Sequence, residues 1–356
     1  MKALKLAVFV LFAVACAKEG NNSNTASSTS SSSGSVDLTG AGATFPYPLY
    51  SKWFDEYAKA TGVRINYQSI GSGGGIRQLS EGTVDFGASD SPMSDAELAK
   101  AKFGPILHIP TVLGAVVITY NLPATSVPLE LTPQAIADIF AGRITKWNDA
   151  RIASLNPTVS LPASDILVVH RSDGSGTTYI FTDYLTTAAP SWKSIGKGKE
   201  VNWPVGLGAK GNEGVAGQVK QTPGAIGYVE LAYAKQNRLP IAAVKNKAGK
   251  FVIASVPAVT AAAAGVAKTL PPNTDFRISV VDAPGPDAYP ISSFTWILVY
   301  QHQRDSVKGK KLVDFLNWAL TYGEPEAASL DYAPLPSEMT PKVKAKVATI
   351  DFSGAK

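Results

Sequence analysis

Four times along this chain an apolar, β-branched run ends in a short stretch of small polar residues. In the order met, the stretches are Gly40-Ala41-Gly42-Ala43-Thr44-Phe45-Pro46, Gly71-Ser72-Gly73-Gly74-Gly75, Gly87-Ala88-Ser89-Asp90 and Arg171-Ser172-Asp173-Gly174-Ser175-Gly176-Thr177-Thr178. Helical spacing follows each of them. A strand that turns through glycine, serine or threonine straight into a helix is the unit of an α/β sheet with largely parallel order. The first amides of such a helix lack carbonyl partners, and the helix dipole adds partial positive charge there. Each junction is therefore also a place where an oxyanion can sit. Any α/β protein contains a few such turns for reasons of turn chemistry alone. Three that carry Ser or Thr at the junction are harder to dismiss.

Individual residues sharpen this reading. Arg171 presents a fixed fork of donors to a planar or tetrahedral anion, and Asp173 is spaced to brace that fork. The hydroxyls of Thr44, Ser72, Ser175 and Thr177 can donate, as can the amides near Phe45 and Gly176. Asp90 either caps the next helix or faces the anion. In the second role it would repel a fully ionised ligand and accept a hydrogen bond from a protonated one, separating phosphate species from sulfate. The plainer alternative for residues 170–178 is a capped helix with a surface Arg–Asp pair.

Composition excludes several classes. The 356 residues are 45% hydrophobic and 17% charged, enough for two compact lobes. The single cysteine, Cys16, rules out a disulfide framework or a cysteine metal cluster. His108, His170 and His302 lie far apart in packed or turn contexts, so no metal or cofactor is expected. Losing Lys2 and Lys5 with a leader takes the formal charge from +5 to +3, too mild for a nucleic-acid binder. Residues 1–15 read as an export signal: a charged start, an apolar core from Leu6 to Phe12, then small residues. Cys16 directly after them resembles the acylated cysteine of bacterial lipoproteins, although Ala13 stands where leucine is usual. An ordinary signal peptide cleaved nearby is the alternative. Residues 16–36, rich in Ser and Asn, form a tether spanning roughly 25 Å as a coil.

Further along, Ile106 to Leu122 reads as two buried strand segments around Pro110, with a crossover into the second lobe. Thr132 and Pro133 open a capped helix ending near Phe140. Trp147 reads as a packing residue. Gly206-Leu207-Gly208-Ala209-Lys210-Gly211 fits the dinucleotide G-x-G-x-x-G pattern, with Glu230 downstream. The proline in Asn202-Trp203-Pro204-Val205 makes a poor central strand, and an exported chain meets no nicotinamide pool, so a glycine loop before a helix at 213–220 is preferred. Phe276 to Val281 and Phe294 to Tyr300 read as strands, and the piece between them, 283–290, as a return crossover. The lobes expected are 37–109 with 286–356, and 110–285.

Those four junctions resemble, over essentially all of the chain after the tether, the phosphate-binding proteins of bacterial high-affinity phosphate ABC transporters. The resemblance implies a two-lobed periplasmic-binding-protein fold with a discontinuous first lobe, a hinge, delivery to a membrane permease, and no catalysis. It implies phosphate contacts at Thr44, Phe45, Ser72, Asp90, Arg171, Ser175, Gly176 and Thr177, with Asp173 bracing the arginine. Gly73 stands where some members carry a second serine. A lipid-anchored monomer at the periplasm or cell surface is expected. A receptor for sulfate or molybdate is the nearer alternative, and a surface phosphatase a more distant one, since no nucleophile with a base or metal cluster is visible.

Overall fold

The computed structural model describes residues 38–122, 127–271 and 273–353. Cys16, the leader and the tether lie outside the described residues. The strands are β1 (Leu38–Gly42), β2 (Ile65–Ser69), β3 (Phe86–Ser89), β4 (Ile106–Tyr120), β5 (Glu130–Leu131), β6 (Leu167–Arg171), β7 (Leu207–Ala209), β8 (Ala225–Glu230), β9 (Ala243–Lys245), β10 (Phe251–Val252) and β11 (Ser292–Tyr300). Helices α1 (Tyr47–Thr61), α2 (Ser72–Glu81), α3 (Asp95–Leu98), α4 (Pro133–Phe140), α5 (Ala150–Ala153) and α6 (Gly176–Ala188) alternate with them. So do α7 (Gly211–Gln221), α8 (Leu231–Gln236), α9 (Val256–Thr269), α10 (Ser306–Trp318), α11 (Glu324–Ala327) and α12 (Thr340–Val347).

Eight strands form one sheet in the order β2-β1-β3-β11-β4-β8-β6-β7, and β10-β9-β5 make a small second one. β1, β2 and β3 run parallel, as do β6, β7 and β8, as the strand–glycine–helix junctions require. The two parallel sets are joined through β4, which pairs antiparallel with β11 from Ile106 to Ala115 and with β8 from Val116 to Tyr120. One continuous strand thus belongs to both halves of a two-lobed molecule. Its run of fully buried residues explains why it is apolar rather than alternating.

Pro110 does not split this strand, contrary to the sequence expectation. Opposite it the register shifts, with Pro110 facing Trp296 and Val112 facing Thr295, so Thr111 is an extra residue in a bulge. A bulge is where a strand interior tolerates a residue with no N–H to donate. The expected strand at Phe276–Val281 is likewise absent. Phe276 adopts a left-handed backbone (φ 59°), which ends extension. The segment is instead tied down irregularly: Trp296 Nε1 donates to the Phe276 carbonyl at 3.0 Å, and Arg277 reaches Asp95 at 2.6 Å.

The glycine run at 71–75 gives a third difference. It reads as a loop before a helix at Ile76, yet α2 begins at Ser72 and takes in Gly73, Gly74 and Gly75. Glycine is a poor helix former, so tertiary packing must set this start. A Cβ on Gly75 would lie 2.5 Å from the Ala41 carbonyl oxygen of β1. Gly75→Ala should therefore lower stability by about 3 kcal/mol, an overpacking effect against rigid backbone. Gly217 in α7 has nothing within 4 Å of an added Cβ. There the same change should raise stability by roughly 0.5–1 kcal/mol. Thermal unfolding of the two variants checks the opposite signs.

Candidate functional site

The carboxyl ends of the parallel strands in both halves converge. From the first half come Thr44 and Phe45 just after β1, Ser72 at the start of α2, and Asp90 just after β3. From the second come Arg171 at the end of β6, Ser175 as the N-cap of α6, and Gly176 and Thr177 in its first turn. All eight residues singled out in the sequence meet here; Gly176 is buried, and the other seven are at most 4% exposed. The halves touch directly. The Gly176 amide donates to Ser72 Oγ at 3.0 Å, and the Gly73 amide donates to the Gly174 carbonyl at 2.8 Å. A Cβ on Gly176 would lie 2.5 Å from both Asp90 Oδ2 and Ser72 Oγ, so only glycine permits this approach.

Arg171 is held as the sequence spacing suggests. Its Nε and Nη2 donate to the two Asp173 oxygens at 2.7 and 2.5 Å, and Nη1 donates to Thr177 Oγ1 at 3.3 Å. Two of the five guanidinium N–H groups are left for a ligand. Burial alone would raise the Asp173 carboxyl, but the paired bonds from Arg171 outweigh it and hold it below the usual range. The Gly211 amide donates to the same carboxylate at 3.1 Å.

The Phe45 ring does not face the anion position. It packs edge-on to Tyr332, ring centres 6.4 Å apart, which leaves its backbone amide as the polar group on offer. Carbonyl oxygens at this turn are capped from behind: Tyr233 donates to Thr44 O at 2.6 Å, and Tyr332 to Phe45 O at 2.7 Å. Tyr332 also lies 3.0 Å from Glu230 Oε2. Burial pushes the Glu230 carboxyl well above the usual range.

Asp90 is the one acceptor aimed among these donors. Thr295 Oγ1 of β11 donates to its Oδ1 at 2.8 Å, while Oδ2 has only a long 3.5 Å contact from Ser72. Burial pushes its carboxyl up to about 7, against the opposing pull of Thr295 and Arg171. Thr295 is in turn bonded through its carbonyl to Thr111, the bulged residue, and Thr111 to the Tyr50 hydroxyl at 2.7 Å.

Sequence reasoning missed Asn212. It sits in the first turn of α7, and its Nδ2 donates to Thr44 Oγ1 at 2.7 Å and to Thr177 Oγ1 at 3.0 Å, joining the two halves. The signal was present in Gly206–Gly211, set aside as a false dinucleotide pattern. That run contains β7 itself and forms a further strand–glycine–helix junction of the same kind. Thr295 carried no comparable signal, since it is one threonine inside an apolar strand. The histidines lie elsewhere: His108 Nε2 accepts from the Met93 amide, His170 stacks on Trp203 and His302 pairs with Asp351. Beside the site is a groove of about 700 Å³ whose charged walls are Arg77, Glu97, Asp173, Lys199, Glu200 and Lys210.

The PBP superfamily domain matches residues 24–321. A phosphate-binding protein PstS of Pasteurella multocida is 46% identical over 314 residues, covering 88% of this chain and 90% of its own. The protein of the same name from Methanocaldococcus jannaschii is 38% identical over 357 residues, covering 94% and 91%. Among solved structures, a phosphate-binding protein from Stenotrophomonas maltophilia aligns with a TM-score of 0.72 at 23% identity, covering 89% of this chain and 96% of that one. A high-affinity periplasmic phosphate-binding protein bound with phosphate aligns at 0.69 and 23%, covering 87% and 93%. The fold is the two-lobed periplasmic-binding-protein architecture.

Burial of Asp90 gives a pH-dependent stability. Its carboxyl rises from 3.8 in the unfolded chain to about 7 in the fold, so between these values the native state binds the extra proton. Stability from this group is complete below pH 4 and falls as pH rises towards 7. Asp90→Asn in phosphate-free buffer should therefore raise the melting temperature at pH 8 and leave it nearly unchanged at pH 4. Equal shifts at both pH values would show that the carboxyl is not desolvated.

Proposed function

The chain belongs to the PstS family of phosphate-binding proteins, and on that premise we propose that it captures inorganic phosphate outside the cytoplasm. In this reading it hands the anion to the membrane permease of an ABC transporter and catalyses nothing. The lobes are taken as 37–109 with 286–356, and 110–285. They close on the anion about the strand crossing and reopen at the permease. The protein is a monomer held at the membrane through an acylated Cys16, exported by residues 1–15 and spaced by residues 16–36. No helix among the described residues is long and apolar enough to cross a membrane.

One observation carries the reading: a buried carboxyl with no cation bonded to it among the described residues, Asp90, stands among donors supplied by both halves. The donors are the Arg171 fork, the hydroxyls of Thr44, Ser72, Ser175 and Thr177, and the amides of Phe45 and Gly176, the latter shared with Ser72 Oγ. Such a set wraps a dehydrated tetrahedral oxyanion and accepts one hydrogen from it. Phosphate near neutral pH has that hydrogen and sulfate does not. Each charge-assisted bond contributes on the order of 1.5–3 kcal/mol net, so several together support micromolar or tighter binding after closure.

Calorimetric titration with phosphate and sulfate is the test. The intact protein should bind phosphate and ignore sulfate at pH 8.5. Arg171→Ala should weaken phosphate binding by a factor of about 100 or more, since it removes two charged donors. Asp90→Asn offers an amide donor in place of the acceptor and should admit sulfate. In the intact protein, sulfate binding should emerge as pH falls below about 7, where Asp90 takes up its proton. An Asn variant that still rejects sulfate would remove Asp90 from the selectivity mechanism. Tight sulfate or molybdate binding by the intact protein at pH 8.5 would replace phosphate as the ligand, and phosphate release from an ester would make it an enzyme.

A further inference from the structure

Every polar atom of Asn212 is committed. Its Oδ1 accepts the Glu230 amide at 2.9 Å. A backbone N–H requires an acceptor there, and this identifies the oxygen end of the side chain. The other end is then an NH2 group with two hydrogens, one for Thr44 Oγ1 at 2.7 Å and one for Thr177 Oγ1 at 3.0 Å. Thr44 Oγ1 receives a second bond from the Asn212 backbone amide at 3.2 Å. Thr177 Oγ1 receives its second from Arg171 Nη1 at 3.3 Å. A hydroxyl oxygen has two lone pairs, so both threonine oxygens are filled as acceptors. Among the described residues neither hydroxyl finds a protein acceptor for its own hydrogen.

From this accounting we infer that Asn212 is a positioning residue: by occupying the acceptor sites of Thr44 and Thr177 it makes both hydroxyls donors only, one from each half of the cleft. The inference rests on the phosphate reading above and deepens it. A freely rotating hydroxyl can accept from a ligand OH as readily as it donates to a bare oxygen, and would not register how many protons the anion carries. With both hydroxyls locked, a ligand must offer them bare oxygens, and Asp90 becomes the place where a ligand proton is received. Ser72 is treated the same way, accepting the Gly176 and Asp90 amides at 3.0 and 3.2 Å. Asn212 touches no position assigned to the ligand and acts through the threonines.

Thr177 and Asn212 belong to the same half, so coupling between them reports orientation rather than closure of the cleft. The test is a double-mutant cycle read by phosphate calorimetry on the intact protein, Asn212→Ala, Thr177→Val and the pair. Each single change should weaken phosphate binding by about 10- to 100-fold, as for loss of a well-aimed donor to an anion. The Thr177→Val penalty should shrink threefold or more in the Asn212→Ala background, because the hydroxyl it removes is no longer held in place. Penalties closer to multiplicative overturn the inference, as does wild-type affinity in Asn212→Ala. Asn212→Asp keeps the acceptor for the Glu230 amide and guards against simple misfolding. Its carboxylate would draw both hydroxyl hydrogens away from the ligand, so it should bind more weakly than Asn212→Ala, and equal or tighter binding counts against the inference. Absence of phosphate binding by the unaltered protein would sink the functional reading itself, a result separable from these.

Discussion

The arrangement depends on keeping one carboxyl group dry. Removing Asp90 from water is expensive unless its oxygens find partners, and no single element supplies them. Thr295 comes from β11, Ser72 from α2, and the offsetting charge of Arg171 from the far half. The acid is enclosed where both halves meet, with Thr295 and Ser72 on its own side and Gly176 of α6 pressed against it from the other. A ligand seated between the halves meets an acid whose carboxyl is tuned by burial from both of them.

β4 lets two parallel sheets bring their carboxyl ends to one place. At about 3.4 Å per residue, its fifteen residues span roughly 50 Å, long enough to pair first with β11 and then with β8. The bulge opposite Thr295 has a use beyond accommodating Pro110. It turns Thr111 towards Tyr50 and Thr295, and Thr295 holds Asp90. An irregularity in the strand thus bears on the orientation of the acid. Bulges beside functional sites often re-aim side chains in this way.

Much of this was legible in the sequence, because the junctions are local. Apolar run, small residues and helical spacing follow one another along the chain, and the physics that links them needs no distant partner. Arg171 and Asp173 are two residues apart, and their pairing could be read from that spacing. What was not legible depends on tertiary contact. Pro110 reads as a break unless the register of β11 is known. Phe276–Val281 has strand composition, but a left-handed residue and ties to Trp296 and Asp95 decide its path. The glycines of α2 look like a loop because local propensity disfavours helix, while the Ala41 carbonyl leaves room for nothing larger at Gly75. Asn212 was hidden for a different reason. Its glycine run was read as a loop before a helix, with the proline-bearing 202–205 as its poor strand, while the strand that makes it one more copy of the junction lies inside the run itself.

The balance of charge at the site explains why donors must be counted. Arg171 is matched by Asp173, and Asp90 adds a further acid, so the ionisable groups bring no net positive charge to a bound anion. Attraction has to come from oriented dipoles: helix-first-turn amides, hydroxyls and the two free guanidinium N–H groups. Dipoles of this kind work only when aligned and water-free. A site with a large net positive charge would hold an anion in the open state as well, through long-range attraction that separation weakens only gradually. A neutral, donor-rich cleft depends instead on the alignment of its short-range donors. With an acid among the donors, two anions of equal charge meet different surroundings at Asp90 if only one of them carries a proton. The grip of such a site resides in short, directional bonds supplied from both sides of the strand crossing.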